Sequence, residues 1–501
     1  MTAEDITRCA WRVADVRSAE RALMATLPPG TLMARAAAGL ARRSAELLAD
    51  RFGGVYGRRV VLLVGGGDNG GDALYAGALL AGRGAVVDAL LLSPDRAHTG
   101  GLAALRAANG RVGEGLPDRA DLVLDGIVGI GGHGRLRARA AEVVRALPGV
   151  RSADRGRPAV VAVDLPSGVE ADTGAVTGAS GDGEAVAADV TVTFGCLKPA
   201  LLVGESVRLA GLVEVVDIGL GPHLPGPPAL RGATAELVES WWPRPDAASD
   251  KYRRGVVGVA SGSAAYPGAA VLGVAGASAG PAGMVRYAGA AAGAVRAAHP
   301  PAVVSERVAD AGRVQAWICG SGLGTDERAR TELRAVLASP VPVCLDADAL
   351  TLLADVTTDG IAELLRARSA ELVVTPHDGE FARLAGGPPG ADRVESALGL
   401  AAKMRATVLL KGDRTVVARP DGAAWVNTTG TPELATGGSG DVLGGLVGSL
   451  LAAGLPGWQA AVAGAYVHGL AGHEAARHGP VTATEIAAAL RPVLAALTNP
   501  A

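Results

Sequence analysis

The sequence predicts an α/β protein of two domains, each a mostly parallel sheet covered by helices. Three observations lead there. At 501 residues the chain is too long for one ordinary core and comfortable for two. Short Val- and Leu-rich runs alternate with helix-length segments through both halves, as expected of strands buried on both faces. The 72 glycines gather in tight clusters just after those runs, where a strand must turn into a helix.

Residues 12–50 read as one or two helices, broken at Pro28-Pro29-Gly30. A buried strand at 59–64 then ends in Gly65-Gly66-Gly67-Asp68-Asn69-Gly70-Gly71-Asp72, followed by a helix over 73–83 and a strand over 86–92. Strand 121–124 ends at Asp125-Gly126, strand 159–163 ends at Asp164, and strands 190–194 and 213–217 follow. Residues 219–245 carry Pro and Gly with little periodicity and read as a linker or the first edge of the second domain. The expected division is therefore a first domain at 1–222, a linker at 223–245 and a second domain at 246–501. In the second half, strands are expected at 256–260, 315–319, 342–345, 371–374, 407–410 and 414–418, and helices at 268–280, 326–338, 379–385, 392–405, 440–453 and 457–476. The halves share an architecture but no order of motifs, so they do not form a repeat.

Composition excludes several classes of function. A net charge of −3, with no clustered basic excess, argues against a nucleic-acid binder, and the 3% aromatic content leaves little for base stacking. Cys9, Cys196, Cys319 and Cys344 are far apart and read as ordinary thiols. The N-terminal residues are acidic early and lack an apolar core segment, and the apolar stretch 269–295 is Ala/Gly-rich rather than Leu/Ile/Phe-rich. No membrane association and a cytoplasmic location are expected.

Three polar, glycine-rich segments follow strands of the first half: 65–72, Asp125 with Gly129-Ile130-Gly131-Gly132-His133-Gly134, and Asp164-Leu165-Pro166-Ser167-Gly168. In open α/β sheets ligands bind beyond the carboxyl ends of strands, so three such segments on one edge point to a site. A Gly-rich turn opening a helix presents N–H groups to phosphate. In the second half Thr436-Gly437-Gly438-Ser439-Gly440-Asp441 precedes an apolar helix. Bare N–H groups there suit a transferring phosphoryl group, and Asp441 can take the proton of an attacking hydroxyl; read alone, Asp441 can equally be a helix cap. No Walker Lys-Ser/Thr follows, and no strand–helix G-x-G-x-x-G fingerprint of a dehydrogenase stands at the right place.

With those segments in view, residues about 10–220 resemble the YjeF N-terminal family, the NAD(P)HX epimerases. The resemblance rests on Asp68-Asn69-Gly70-Gly71-Asp72, on Asp125 through Arg137, on Val163-Asp164-Leu165-Pro166-Ser167-Gly168 to Thr173-Gly174, and on Thr193-Phe194 to Lys198-Pro199. Asp68, Ala73 and Gly126 depart from the family's usual Asn, Gly and Ala. The resemblance implies a Rossmann-like αβα domain in which Asn69, Asp125 and Ser167 bind potassium. It implies that 68–72 and 129–135 (Gly129, Ile130, Gly131, Gly132, His133, Gly134, Arg135) hold the dinucleotide. It implies further that Asp164 contacts the nicotinamide end. Inverting a C6 hemiaminal needs a proton shuttle, for which Asp164 is the first candidate and Lys198 the second.

Residues about 246–495 resemble the ribokinase-like carbohydrate-kinase family and, within it, the NAD(P)HX dehydratases. The matching segments are Lys251 to Gly255, Gly262 to Ala270, Gly320-Ser321-Gly322-Leu323-Gly324, Asp346-Ala347-Asp348-Ala349-Leu350, Thr375-Pro376-His377-Asp378-Gly379-Glu380-Phe381, Lys411-Gly412-Asp413-Arg414-Thr415 and the final Gly437-Gly438-Ser439-Gly440-Asp441. Ser321 and Asp378 stand where the family usually has Pro. The resemblance implies that 411–415 and Gly440 hold an adenine nucleotide and that Ala270, Gly322, His377 and Asp441 face the hydrated nicotinamide. ADP with Mg²⁺ is the implied donor, with ATP the alternative. The implied substrates are NADHX and NADPHX, and the implied assembly is a homo-oligomer. The competing readings are a ribokinase-like kinase for a small alcohol and a non-catalytic ligand-binding first domain.

Overall fold

The computed structural model describes residues 7–132, 135–152, 156–176, 185–355 and 360–498. The chain falls into two compact units, Met1–Leu230 and Arg231–Ala501.

The first unit is built on seven parallel strands: Arg59–Val64, Val86–Leu91, Arg111–Gly113, Leu122–Gly126, Ala159–Val163, Val190–Phe194 and Leu212–Val216. Numbered in chain order they lie 3-2-1-4-5-6-7 across the sheet. Every residue of the strands Leu122–Gly126, Ala159–Val163 and Val190–Phe194 is buried, as both faces are covered. The order reverses between the first and fourth strands, which opens a crevice at their carboxyl ends. Pro28-Pro29-Gly30 separates the helices Val13–Met24 and Thr31–Phe52, as the sequence predicts. Thr31–Phe52 buries Ala37, Leu40, Ala41, Ser44 and Leu48 at helical spacing and stops at Gly53 in the left-handed region.

The helix after the first strand begins at Asp68, not at 73. The segment 68–72 is thus a first helical turn, and the turn proper is Gly65–Gly67. Glycine at 70 makes this possible: a Cβ there would lie 2.4 Å from the Gly65 carbonyl oxygen.

The sheet of the second unit runs in the order Leu230–Gly232, Ala424–Val426, Val416–Ala418, Thr407–Leu410, Leu372–Val374, Val343–Leu345, Ala316–Cys319, Val256–Ala260, Met284–Ala288 and Val303–Ser305. All pairs are parallel except the two formed by Val416–Ala418. Within 223–245, Leu230–Gly232 pairs in parallel with Ala424–Val426, and a helix capped by Thr234 spans Ala235–Trp241. The strands at 111–113, 230–232, 284–288, 303–305 and 424–426 have no separate sequence expectation. Four of them are three residues long, too short to carry a period.

The Ala/Gly richness has a packing cause. Helix Ser439–Ala452 lies backbone-to-backbone on helix Pro267–Ala279: a Cβ on Gly276 would meet the Val442 carbonyl oxygen at 2.1 Å, and one on Gly445 would meet the Gly273 oxygen at 2.2 Å. This contact fixes the amino end of the first helix beside the start of the second. Gly276→Ala is expected to cost about 1–3 kcal/mol through overpacking. Gly293→Ala, in a helix with nothing within 4 Å of the added methyl, is expected to be neutral or stabilising. Thermal unfolding of the two variants distinguishes them.

Candidate active sites

In the first unit a cavity of about 620 Å³ opens at the crevice, lined by Gly65–Asn69, Asp72, Ile127–Gly132, Asp164 and Phe194. Helix Val13–Met24 adds Arg17, Glu20 and Arg21, and the turn after the second strand adds Ser93 and Arg96.

At its inner end sits a buried ion pair. Lys198 Nζ lies 2.5 Å from Asp164 Oδ1 and donates to Thr193 Oγ1 (2.9 Å) and the Phe194 carbonyl (3.1 Å). Thr193 Oγ1 donates to the same Asp164 oxygen at 2.9 Å. Lys198 is only 1% exposed. Burial alone would lower its pKa, but Asp164, the Cys196 thiol and Glu20 more than offset this and hold it above the usual lysine range. Lys198 is therefore a charged donor. Asp164 is one of few non-glycine residues at positive φ (66°), a strained backbone of the kind that collects at functional sites. Glu20 and Asp72 are pushed up, chiefly by burial and further by the neighbouring carboxylates.

Asp125 is fully buried one strand away. Ser167 donates to it through Oγ (2.6 Å) and its backbone N–H (2.8 Å). Burial still raises its pKa to about 6. Ser167 Oγ also lies 3.2 Å from the Val128 carbonyl oxygen. Asn69 Nδ2 is buried without a hydrogen-bond partner. A Cβ on Gly129 would come within 2.7 Å of Asn69 Oδ1 and 3.3 Å of Asp164 Oδ2, so glycine lets these two side chains approach the loop. The fold thus brings Asp68, Asn69, Asp72, 129–132, Arg135 and Asp164 to one cavity, with Asp125 and Ser167 buried beside it, whereas Gly70 packs on Gly65 and Gly71 on His98 and neither lines the cavity. His133 and Gly134 lie outside the described residues. Sequence reasoning missed Glu20, Arg17 and Arg96. They belong to no glycine-rich segment, and their helical or turn pattern is ordinary.

The second unit repeats the pairing, here between buried Asp346 and a partly buried lysine. Lys411 Nζ is 2.7 Å from Asp346 Oδ1 and 3.6 Å from Glu380 Oε2. Burial would lower the lysine pKa, yet Asp346 and Glu380 raise it overall, so it too stays charged. Thr375 Oγ1 donates to Asp346 at 2.9 Å. Ala347, next in the chain, has φ 50°. Helix Ser439–Ala452 starts directly over the pair: a Cβ on Gly440 would sit 3.5 Å from both Asp346 Oδ2 and Lys411 Nζ. Gly438, with φ 90°, is its N-cap. Asp441, in the first turn, is raised to about 6 by burial and then by Asp346. The Ser321 hydroxyl and Lys411 act in the opposite sense. Ser321, which replaces the family's Pro, places its hydroxyl 3.5 Å from Asp346 Oδ2. Ser439 Oγ lies 3.3 Å from His468, which burial lowers to about 4 and keeps neutral.

The surrounding loops are pinned. Lys411 N–H donates to the Pro376 carbonyl (2.8 Å), Thr415 Oγ1 to Gly412 O (3.0 Å) and Arg414 to Thr428 O (2.7 Å). A Cβ on Gly430 would meet the Asp413 carbonyl oxygen at 1.8 Å. Asp378, where the family has Pro, forms two hydrogen bonds with Arg393, which donates to Lys411 O at 3.0 Å. The substitution thus adds a brace to the 411–415 segment. Gly322 packs on the start of the opposite helix, where an added Cβ would lie 2.8 Å from Ala269 Cβ, with Ala270 one residue on. A Cβ on Gly437 would enter open space. His377 caps helix Asp378–Ala385. Its Nδ1 accepts from Gly379 and Glu380 N–H, its own N–H donates to Glu380 Oε2, and its Nε2 lies 3.3 Å from Glu380 Oε1. The ring remains more than half exposed beside that carboxylate.

A Rossmann-like unit and a ribokinase-like unit, each with a lysine–carboxylate pair beyond its strand ends, define an enzyme with two nucleotide-directed sites. The chain belongs to the family of bifunctional NAD(P)H-hydrate repair enzymes. Residues 257–492 match the family described as NAD(P)H-hydrate dehydratase, and 29–200 match the YjeF-related protein N-terminus. The chain is 49% identical over 452 residues to the bifunctional NAD(P)H-hydrate repair enzyme Nnr of Mycobacterium tuberculosis strain H37Rv, covering 90% of each. It is 48% identical over 492 residues to that of Mycobacterium leprae, covering 97% of this chain and 99% of the relative. Among solved structures, the ADP/ATP-dependent NAD(P)H-hydrate dehydratase of Bacillus subtilis co-crystallised with ATP/Mg²⁺ is 28% identical, with TM-score 0.47 over 53% of this chain and 97% of that one. No helix among the described residues is long and apolar enough to cross a membrane.

Proposed function

We propose that the first unit interconverts the R and S epimers of NADHX and NADPHX at C6, and that the second dehydrates the S epimer to NADH or NADPH with ADP, giving AMP and phosphate. The observation that carries this reading is Asp441, raised to about 6, at a glycine-capped helix tip over the Lys411–Asp346 pair. Functionally, we assign the epimerase to 1–222 and the dehydratase to 246–501.

In the dehydratase, the C6 hydroxyl attacks the terminal phosphorus of ADP and its proton passes to Asp441. AMP departs. Hydroxide has become phosphate, a far better leaving group. The ring nitrogen lone pair expels it, and loss of a proton from C5 restores the C5–C6 double bond. Lys411 and the N–H groups at Gly437–Gly440 stabilise the phosphoryl charge. The 411–415 segment and Gly440 hold the nucleotide, and Ala270, Gly322 and His377 border the hydrated ring. Mg²⁺ on the nucleotide phosphates would supply further neutralisation; ATP is the alternative donor.

In the epimerase, the C6–O bond breaks as Lys198 gives a proton to the departing hydroxyl. Water returns to the other face and yields a proton to the Lys198–Asp164 pair. Asn69, Asp125 and Ser167 fit potassium. Asp125 is buried with no lysine or arginine among its partners, and the oxygen donors of the three residues carry one formal negative charge, matching a monovalent cation. The ion would supply a fixed positive charge beneath the dinucleotide. Buried free Cys196, Cys319 and Cys344 agree with action in the reducing cytoplasm, and a homo-oligomer is the assembly we assign from the family.

Purified protein mixed with both epimers of hydrated NADH, ADP and Mg²⁺ is expected to restore the full dihydronicotinamide absorbance. No recovery with either ADP or ATP would overturn the reading.

A further inference from the structure

The cavity of the first unit carries a feature that the reaction at C6 does not use. After the second strand, Leu92, Ser93 and Arg96 line the cavity, while Asp95 between them does not. Ser93 and Arg96 are joined by a tight turn, Arg96 N–H donating to Ser93 O at 3.0 Å. The turn is pressed against the phosphate loop. A Cβ on Gly66 would lie 2.8 Å from Arg96 Cβ, 3.3 Å from Ser93 Cβ and 3.4 Å from Arg96 Nε. Arg96 is exposed and forms no ion pair among the described residues.

The strand order 3-2-1-4-5-6-7 makes this position informative. A dinucleotide lies across the switch point between strands 1 and 4, with its adenosine ribose at the carboxyl end of strand 2. A carboxylate there binds the ribose 2′-hydroxyl and selects the unphosphorylated form, whereas an arginine accommodates a 2′-phosphate. This chain offers a hydroxyl and a guanidinium to the cavity and keeps Asp95, the carboxylate of the same turn, out of the lining. A guanidinium fork matches phosphate oxygens in charge and geometry.

We infer that Ser93 and Arg96 read the 2′-phosphate of the substrate and make the epimerase site favour NADPHX over NADHX. The inference rests on the epimerase reading of this cavity. It is tested by following R-to-S conversion of each substrate in full-length protein without ADP, so that the dehydratase is silent, and subtracting the spontaneous rate. Wild type is expected to show the higher kcat/KM with NADPHX. Arg96→Ala should lower that value on the order of tenfold, mainly through KM, and leave NADHX unchanged. Ser93→Glu should reverse the preference. Both positions lie at the surface of the turn, and unchanged dehydration of the S epimer would report intact protein. Equal losses for both substrates would place Arg96 on the shared pyrophosphate and overturn the proposal, as would no change for either. A wild type that epimerises neither substrate would overturn the epimerase reading and this inference with it.

Discussion

Asp441→Asn is expected to lower the dehydration rate by about 10²–10⁴-fold, the span that a positioned general base contributes. The amide keeps the shape and the helix-start position but cannot accept the proton of the C6 hydroxyl. The pH dependence follows from the environment of the native carboxylate. Burial, and then the charge of Asp346, raise its pKa to about 6. The ionised form is the working base, so kcat/KM should be flat above that value and fall tenfold per unit as the pH drops below it. The variant should lose this limb. Absorbance recovery from the S epimer with ADP measures both effects. Epimerisation measured without ADP should be untouched, which separates lost chemistry from lost folding. A variant with near wild-type dehydration would remove Asp441 from the mechanism.

Lys198→Met should abolish epimerisation and also destabilise the protein. The ammonium is almost fully buried and makes three hydrogen bonds, one of them to Asp164. Removing it leaves the Asp164 carboxylate buried beside Thr193 without a countercharge. Breaking such a pair costs about 3–5 kcal/mol. The double variant Lys198→Met, Asp164→Asn removes both charges and should regain much of that stability while epimerisation stays absent. Thermal unfolding and the ADP-free epimer assay read the two effects apart. If the single variant were as stable as wild type, the pair would not be the buried contact described. If the refolded double variant still epimerised, the shuttle would lie elsewhere.

Much of this architecture was legible in the sequence. The strands Arg59–Val64, Ala159–Val163 and Val190–Phe194 announce themselves because burial on both faces favours short runs dense in Val and other β-branched or apolar residues. Pro28-Pro29-Gly30 breaks the early helices for reasons local to those residues. The edge strands 111–113 and 303–305 were not legible, since three residues carry no period and pairing partners alone define them. The helix start at Asp68 was missed because asparagine, aspartate and glycine ordinarily favour turns. The close fit of Gly70 against the Gly65 carbonyl overrides that preference.

The sequence by itself determined which segments are strands and helices, where the chain turns, and which chemical groups stand at those turns. Tertiary structure decided what those groups do. Asp346 and Lys411 are 65 residues apart, and only the sheet order brings them to 2.7 Å. That buried Lys198 and partly buried Lys411 keep their charge follows from the carboxylates they meet. Glu20 and Arg96 reach the cavity because a helix and a turn pack beside the crevice. Propensity acts over a few neighbouring residues, whereas desolvation and charge pairing depend on whatever distant segments the fold sets within a few ångströms.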